Sequence, residues 1–128
     1  MSVTHSTAAR NAATDAVTAL IGTSGKLKFH ITGSTVAAPS TVVATLPLSA
    51  TAFGASATGT ATANAITSDT NAAGGTVAFA SLQTSANVPV IHCAVAASAS
   101  DINMTNGLAV TAGDTVSCSS LTYTALSA

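Results

Sequence analysis

Lys26-Leu-Lys-Phe-His-Ile31 alternates without a break. On an extended chain Leu27, Phe29 and Ile31 fall on one face and Lys26, Lys28 and His30 on the other, the pattern of a half-buried strand with its polar side toward water. His30 is therefore expected to be solvated, or at a contact, beside the two lysines. Downstream, further strand candidates are 41 to 48, 52 to 66, 75 to 83, 88 to 96, 107 to 111 and 115 to 124. Turn chemistry separates these runs: Asn71-Ala-Ala-Gly-Gly75, Asn106-Gly107 and Ala112-Gly113-Asp114 supply the residues that tight turns favour. Many short strands with such punctuation predict an all-β domain, an antiparallel β-sandwich or barrel.

Two of these runs carry further information. In the last one, Val116 and Cys118 share one parity and Leu121 and Tyr123 the other, so the inward face must switch near Ser119-Ser120 through a bulge or a change of sheet. Thr51 to Thr70 is a low-complexity stretch around Phe53 and Ile66; it reads as a long strand with small side chains or as a loop, and the strand is favoured. No internal repeat of fixed period is present.

Upstream of the opening stretch the period changes to helical. Ala9, Ala13, Ala16, Val17, Leu20 and Ile21 are spaced by three and four and form one stripe, with Ser6 placed to cap the start and Gly22 to end it. Because much of that stripe is alanine, the helix needs a close neighbour for stability. The expected organisation is one N-terminal α-helix in an arm over residues 1–22, able to clamp a neighbour, and a single β domain over 23–128.

The hydrophobic fraction of 48% overstates the core, since 29 of those residues are alanines. Val, Ile, Leu and Phe number 27 of 128, just above the roughly 20% below which chains tend to disorder, and the net charge of −1 lacks the excess that accompanies disorder. A folded domain with a thin core follows. Charged residues are 5%, against about 25% in ordinary soluble domains, and Glu and Trp are absent. A surface of Ser, Thr, Asn and Ala lacks the charge that keeps free proteins apart, so it suits a packed array; the alternative is a neutral surface solvated through its hydroxyls.

Arg10, Lys26 and Lys28 are the only cations, too few for a phosphate-neutralising stripe, so direct nucleic-acid binding is not expected. No apolar run approaches the roughly 20 residues of a membrane span, and no membrane partner is expected. Met1-Ser-Val-Thr-His5 has neither the basic nor the apolar region of a signal peptide, which predicts synthesis and retention in the cytoplasm unless the product leaves inside a particle.

Chemistry requires titratable groups that converge, and the inventory is His5, His30, His92, Asp15, Asp69, Asp101, Asp114, two cysteines and one tyrosine. Asp69, Asp101 and Asp114 read as turn formers rather than as a carboxylate pair. Gly22-Thr-Ser-Gly-Lys26 fails as a phosphate loop: it follows a helix, its spacing is short, and Leu27 stands where Ser or Thr would bind magnesium. His92 and Cys93 are adjacent and so point to opposite faces of a strand, which does not suit a metal. Cys93 and Cys118 read as small buried core residues; a disulfide between them is the alternative, disfavoured by a cytoplasmic origin. Asn103-Met-Thr105 and Asp101-Ile-Asn103 are too short to support glycosylation or calcium binding. The expectation is a non-enzyme with no catalytic, cofactor-binding or metal residues.

Several segments resemble a known group. Val3-Thr-His-Ser-Thr-Ala-Ala-Arg-Asn-Ala-Ala-Thr-Asp-Ala-Val17 with Gly25-Lys-Leu-Lys-Phe29, Ala52-Phe-Gly54 with Ala63-Asn-Ala-Ile-Thr-Ser68, and Ala112-Gly-Asp-Thr-Val-Ser117 with Ser120-Leu-Thr-Tyr-Thr124 are similar to small virion proteins of tailed bacteriophages. Residues 32 to 47 and the Cys93 and Cys118 positions lie outside the resemblance. It implies a capsid decoration or cement protein: a compact β domain, in trimers or dimers, bound to the major capsid protein on the virion surface after synthesis in the host cytoplasm. No catalytic residue comes with it. A tail-tube, fibre or pilin-like subunit is the second structural expectation. A carbohydrate-binding module is the third, and it has only Phe29, Phe53, Phe79 and Tyr123 on which to stack sugars.

Overall fold

A computed structural model describes residues 3–31, 41–96, 102–104, 107–118 and 120–125. Among these residues one helix, α1 (Thr7–Ala19), precedes nine strands: β1 (Lys26–His30), β2 (Val42–Pro47), β3 (Thr60–Thr62), β4 (Gly75–Thr76), β5 (Phe79–Gln83), β6 (Pro89–Ala96), β7 (Ile102–Asn103), β8 (Ala109–Val110) and β9 (Thr122–Thr124). The largest sheet has the order β2-β1-β5-β6-β7, antiparallel except for the short β7, which pairs parallel to β6. Two-stranded pieces β3-β9 and β4-β8 complete a β-rich, sandwich-like body with an N-terminal helix, the expected fold class.

The opening hexapeptide is central to this body. Leu27 and Phe29 pair across β1 with Leu46 and Ala44 of β2 and with Leu82 and Ala80 of β5, and all six are buried. Ile21, Leu48, Phe53, Ala61, Val77, Val116 and Leu121 close over them to form one core. Fully burying side chains of this size contributes about 1.5–3 kcal/mol each. Between β1 and β2 the register skips, Phe29 opposite Ala44 and His30 opposite Val42, which makes Val43 the extra residue of a bulge. Its carbonyl accepts from both Ala73 and Gly74, so the bulge ties the edge of the sheet to the segment outside it.

Three expectations change. The stretch from 52 to 66 is a hairpin: Phe53 bridges Ala63, Ala57 and Thr60 exchange backbone hydrogen bonds, and Thr58 and Gly59 have φ of 53° and 83°. Two successive residues with positive φ make the tight turn whose twist suits antiparallel strands, and Thr58 gave no hint of it because a β-branched residue rarely takes that conformation. The run from 75 to 83 divides: Gly75–Thr76 pair with β8, after which Ala78 N–H bonds the His30 carbonyl and Phe79–Gln83 join β1. β7 was not expected as a strand at all; two residues carry no periodicity.

The terminal run behaves as its parity requires. Val116 bridges Asp69, then Thr122–Thr124 pair with β3, and both Val116 and Leu121 are buried. The chain changes partner between them. Ser119, where the switch was placed, and Asp101 lie outside the described residues.

Candidate functional site

Polar side chains concentrate in two places: on the far face of the large sheet, and under α1.

The far face carries Lys26, Lys28 and His30 of β1 beside Gln83, Ser81 and Phe79 of β5, with His92 opposite Ser81 on β6. Contrary to the expectation of a solvated His30, this face is closed at its centre: His30 is 1% exposed, Ser81 0%, Phe79 and Gln83 2%. His30 Nε2 lies 2.7 Å from Ser81 Oγ, and Gln83 Nε2 donates to the same hydroxyl at 2.8 Å. Phe79 is stacked between two imidazoles, with ring centroids 4.7 Å from His30 and 4.6 Å from His92. Alternation could not reveal this burial, because the periodicity only says which residues share a face and not what lies above them. A serine beside a histidine has the hydrogen bond of a nucleophile and its base. Here Ser81 has no exposed surface and already accepts from Gln83, so the geometry describes a satisfied polar layer.

Toward solvent the same face ends in a cationic pair. Lys26 Nζ and Lys28 Nζ both donate to Asn87 Oδ1, at 3.0 and 2.9 Å. Partial burial, and then the charge of Lys26, hold the Lys28 ammonium below its ordinary pKa.

The second concentration holds α1. Ser6 caps the helix, its hydroxyl accepting from Ala9 N–H at 3.1 Å, and the helix ends at Leu20 before Gly22 at φ 70°. Its docking face is turned away from the centre of the expected stripe: within α1 only Thr14 is buried, Ala13 and Val17 are half-buried and Ile21 beyond the helix enters the core, while Ala9, Ala16 and Leu20 are exposed. Polar side chains grip the 56–59 turn. Thr14 Oγ1 donates to the Gly59 carbonyl at 2.6 Å and accepts from Ala125 N–H at 3.1 Å; Asn11 Oδ1 accepts from Gly59 N–H at 2.8 Å. Asp15 Oδ1 accepts from Ser56 N–H at 2.9 Å, Ser56 Oγ donates to the Asn11 carbonyl, and Arg10 donates to the Thr58 carbonyl. Gly59 is required there, because a Cβ would stand 2.9 Å from Arg10 Nε and its φ of 83° is strained for other residues. The helix therefore lies on its own β3 and β9. Between its C-terminal half and residues 50–55 lies an open cleft of about 320 Å³, edged by Asp15, Thr18 and Phe53.

Asp69 accepts from Thr45 and Asn71 N–H and Asp114 from Thr111 N–H, the turn roles expected of them. Cys93 is buried on the core face and Cys118 is half-buried, its thiol pushed up by burial; neither is in a disulfide. Among the described residues no three His, Cys, Asp or Glu side chains group to hold a metal, and no helix is long and apolar enough to cross a membrane. Comparison with known proteins yields no relative from which a role can be carried over: no family model, curated protein or solved structure matches this chain.

Proposed function

We propose that the chain is a structural subunit of a tailed-bacteriophage particle, a decoration or cement protein that binds the major capsid protein on the outside of the head and stabilises contacts between capsid subunits. The observation that carries this reading is the orientation of α1. Its polar side is consumed by the 56–59 turn, so Ala9, Ala12, Ala16, Ala19 and Leu20 face solvent, with Val3 also exposed before it. Leu20 and Val3 are 65% and 77% exposed. A helix bonded to its own body through polar groups, with small apolar side chains outward, lets another backbone approach closely. A surface with 5% charged residues sets little repulsion against that approach. Such contacts are individually weak and gain their effect from repetition by symmetry, which suits a dimer or trimer seated at each seam of a shell.

The test is addition of the purified chain to heads that lack it, followed by electron cryomicroscopy. The expected result is extra density at capsid-symmetric positions on the outer surface, and Leu20→Asp is expected to reduce occupancy about tenfold or more, the equivalent of ~1.4 kcal/mol per contact. Density confined to the tail would replace the head assignment with a tail-tube or fibre role. Full occupancy by the Leu20→Asp chain would remove α1 from the contact.

A further inference from the structure

We propose that Lys26, Lys28 and Asn87 form a binding site for an oxyanion, a carboxylate or phosphate group. Two ammonium groups reach the same neutral oxygen, so they lie at most about 6 Å apart, a distance at which like charges repel. Neither has a carboxylate partner among the described residues. The described carboxylates are committed elsewhere: Asp15 to Ser56 N–H, Asp69 to Thr45 and Asn71, Asp114 to Thr111. Arg10, the third cation, is held at the Thr58 carbonyl. Lys26 and Lys28 thus converge at one neutral oxygen, with no carboxylate beside them among the described residues.

The point is also preorganised. Lys26 and Lys28 are two residues apart on β1 and project to the same face, next to β5. Asn87 belongs to the turn joining β5 to β6, where Thr84 N–H bonds the Val88 carbonyl, Asn87 N–H bonds the Thr84 carbonyl and Thr84 Oγ1 accepts from Val88 N–H. With φ at 65°, Asn87 takes the left-handed conformation that asparagine tolerates. Each ammonium has three donors and spends one on Asn87, leaving N–H groups for two oxygens of one anion. Charge-assisted bonds to an oxyanion are stronger than bonds to a neutral amide, so an anion competes well with Asn87 Oδ1. Asn87 and Val88 are exposed and both lysines only half-buried, which leaves the point open to solution. An anion there would also relieve the destabilisation of the Lys28 ammonium by partial burial and by Lys26.

The inference does not depend on the packing role. Its oxyanion can be a free inorganic ion or an acidic side chain of a neighbouring protein. NMR titration of the full chain with sodium phosphate and, separately, with N-acetyl-aspartate amide distinguishes these sources, with sodium chloride at matched ionic strength as control. Saturable shifts centred on Lys26, Lys28 and the Asn87 side-chain amide are expected. A response to phosphate alone assigns a free inorganic ion, and a response to the aspartate probe assigns a side-chain carboxylate as competent ligand. Lys26→Ala/Lys28→Ala should weaken binding about tenfold or more while the rest of the spectrum stays in place, and Asn87→Ala, which keeps both cations, should shift the affinity less. The proposal is overturned if neither probe produces saturable shifts beyond the chloride control, or if the double variant binds as well as the parent chain.

Discussion

The large sheet and the N-terminal helix are held by opposite means. The sheet's inner face joins the rest of the body through apolar side chains: Leu27, Phe29, Leu46 and Leu82 are almost completely buried, and Ile21, Phe53 and Leu121 close over them. The helix joins through Arg10, Asn11, Thr14 and Asp15, and its own apolar residues are left largely outside. Apolar burial contributes by area, whereas a hydrogen bond exchanged against water contributes only about 0.5–1.5 kcal/mol net. The helix is therefore positioned with high geometric specificity and modest energy, while the sheet carries the stability. Only Ile21, just beyond the helix end, belongs to both regimes.

Three substitutions separate those regimes. Phe29→Ala, which empties the centre of the core, should cost about 3–5 kcal/mol in urea unfolding and have the largest effect. A loss below 1 kcal/mol would mean that the inner face is not the main source of stability. Thr14→Val removes the hydroxyl that serves both the Gly59 carbonyl and Ala125 N–H, leaving buried groups unsatisfied. About 1–3 kcal/mol is expected, accompanied by loss of hydrogen-exchange protection in residues 7–20 with the protection of β1 and β5 retained. Equal loss in both regions would show that helix and sheet unfold as one unit. Leu20→Ser should change stability by less than about 0.5 kcal/mol, because the side chain is 65% exposed. A larger loss would place Leu20 among the residues that hold the helix down.

Legibility in the sequence followed the physical origin of each feature. The strands around 26–31, 41–48 and 88–96 were readable because 26–31 alternates strictly and the other two are short apolar runs bounded by turn residues, and all three form within one or two residues of the expected bounds. The Ser6 cap was readable because it is a local bond between one hydroxyl and an N–H three residues on. So was the change of face before Leu121, since parity is counted along the chain. The docking side of α1 is only partly legible: Ala13, Val17 and Ile21 of the stripe turn toward the body, but Ala9, Ala16 and Leu20 do not, because Thr14 and Asn11 are drawn into bonds with a turn more than 40 residues away. The far face of the sheet failed for a similar reason. Lysines at 26 and 28 suggested water throughout, and nothing in the alternation distinguishes their open end from the closed end at His30.

The sites divide in the same way. Asp69 and Asp114 were recognised as turn residues from their immediate neighbours. Asn87 is not legible in the sequence, because an asparagine in a turn is ordinary until two lysines from another strand reach it. The Ser81–His30 contact likewise spans 51 positions and has no sequence signature.

By itself the amino-acid order determined what depends on neighbours within a few residues: strand and helix periods, the cap, the turn-forming aspartates, the scarcity of charge and the thinness of the core. Only the tertiary structure decided which face of α1 is spent inward, which end of the polar face is sealed, and where Lys26 and Lys28 meet at Asn87. Those outcomes rest on contacts between segments far apart in the chain, whose energies depend on distance and burial, and neither quantity exists until the strands have paired.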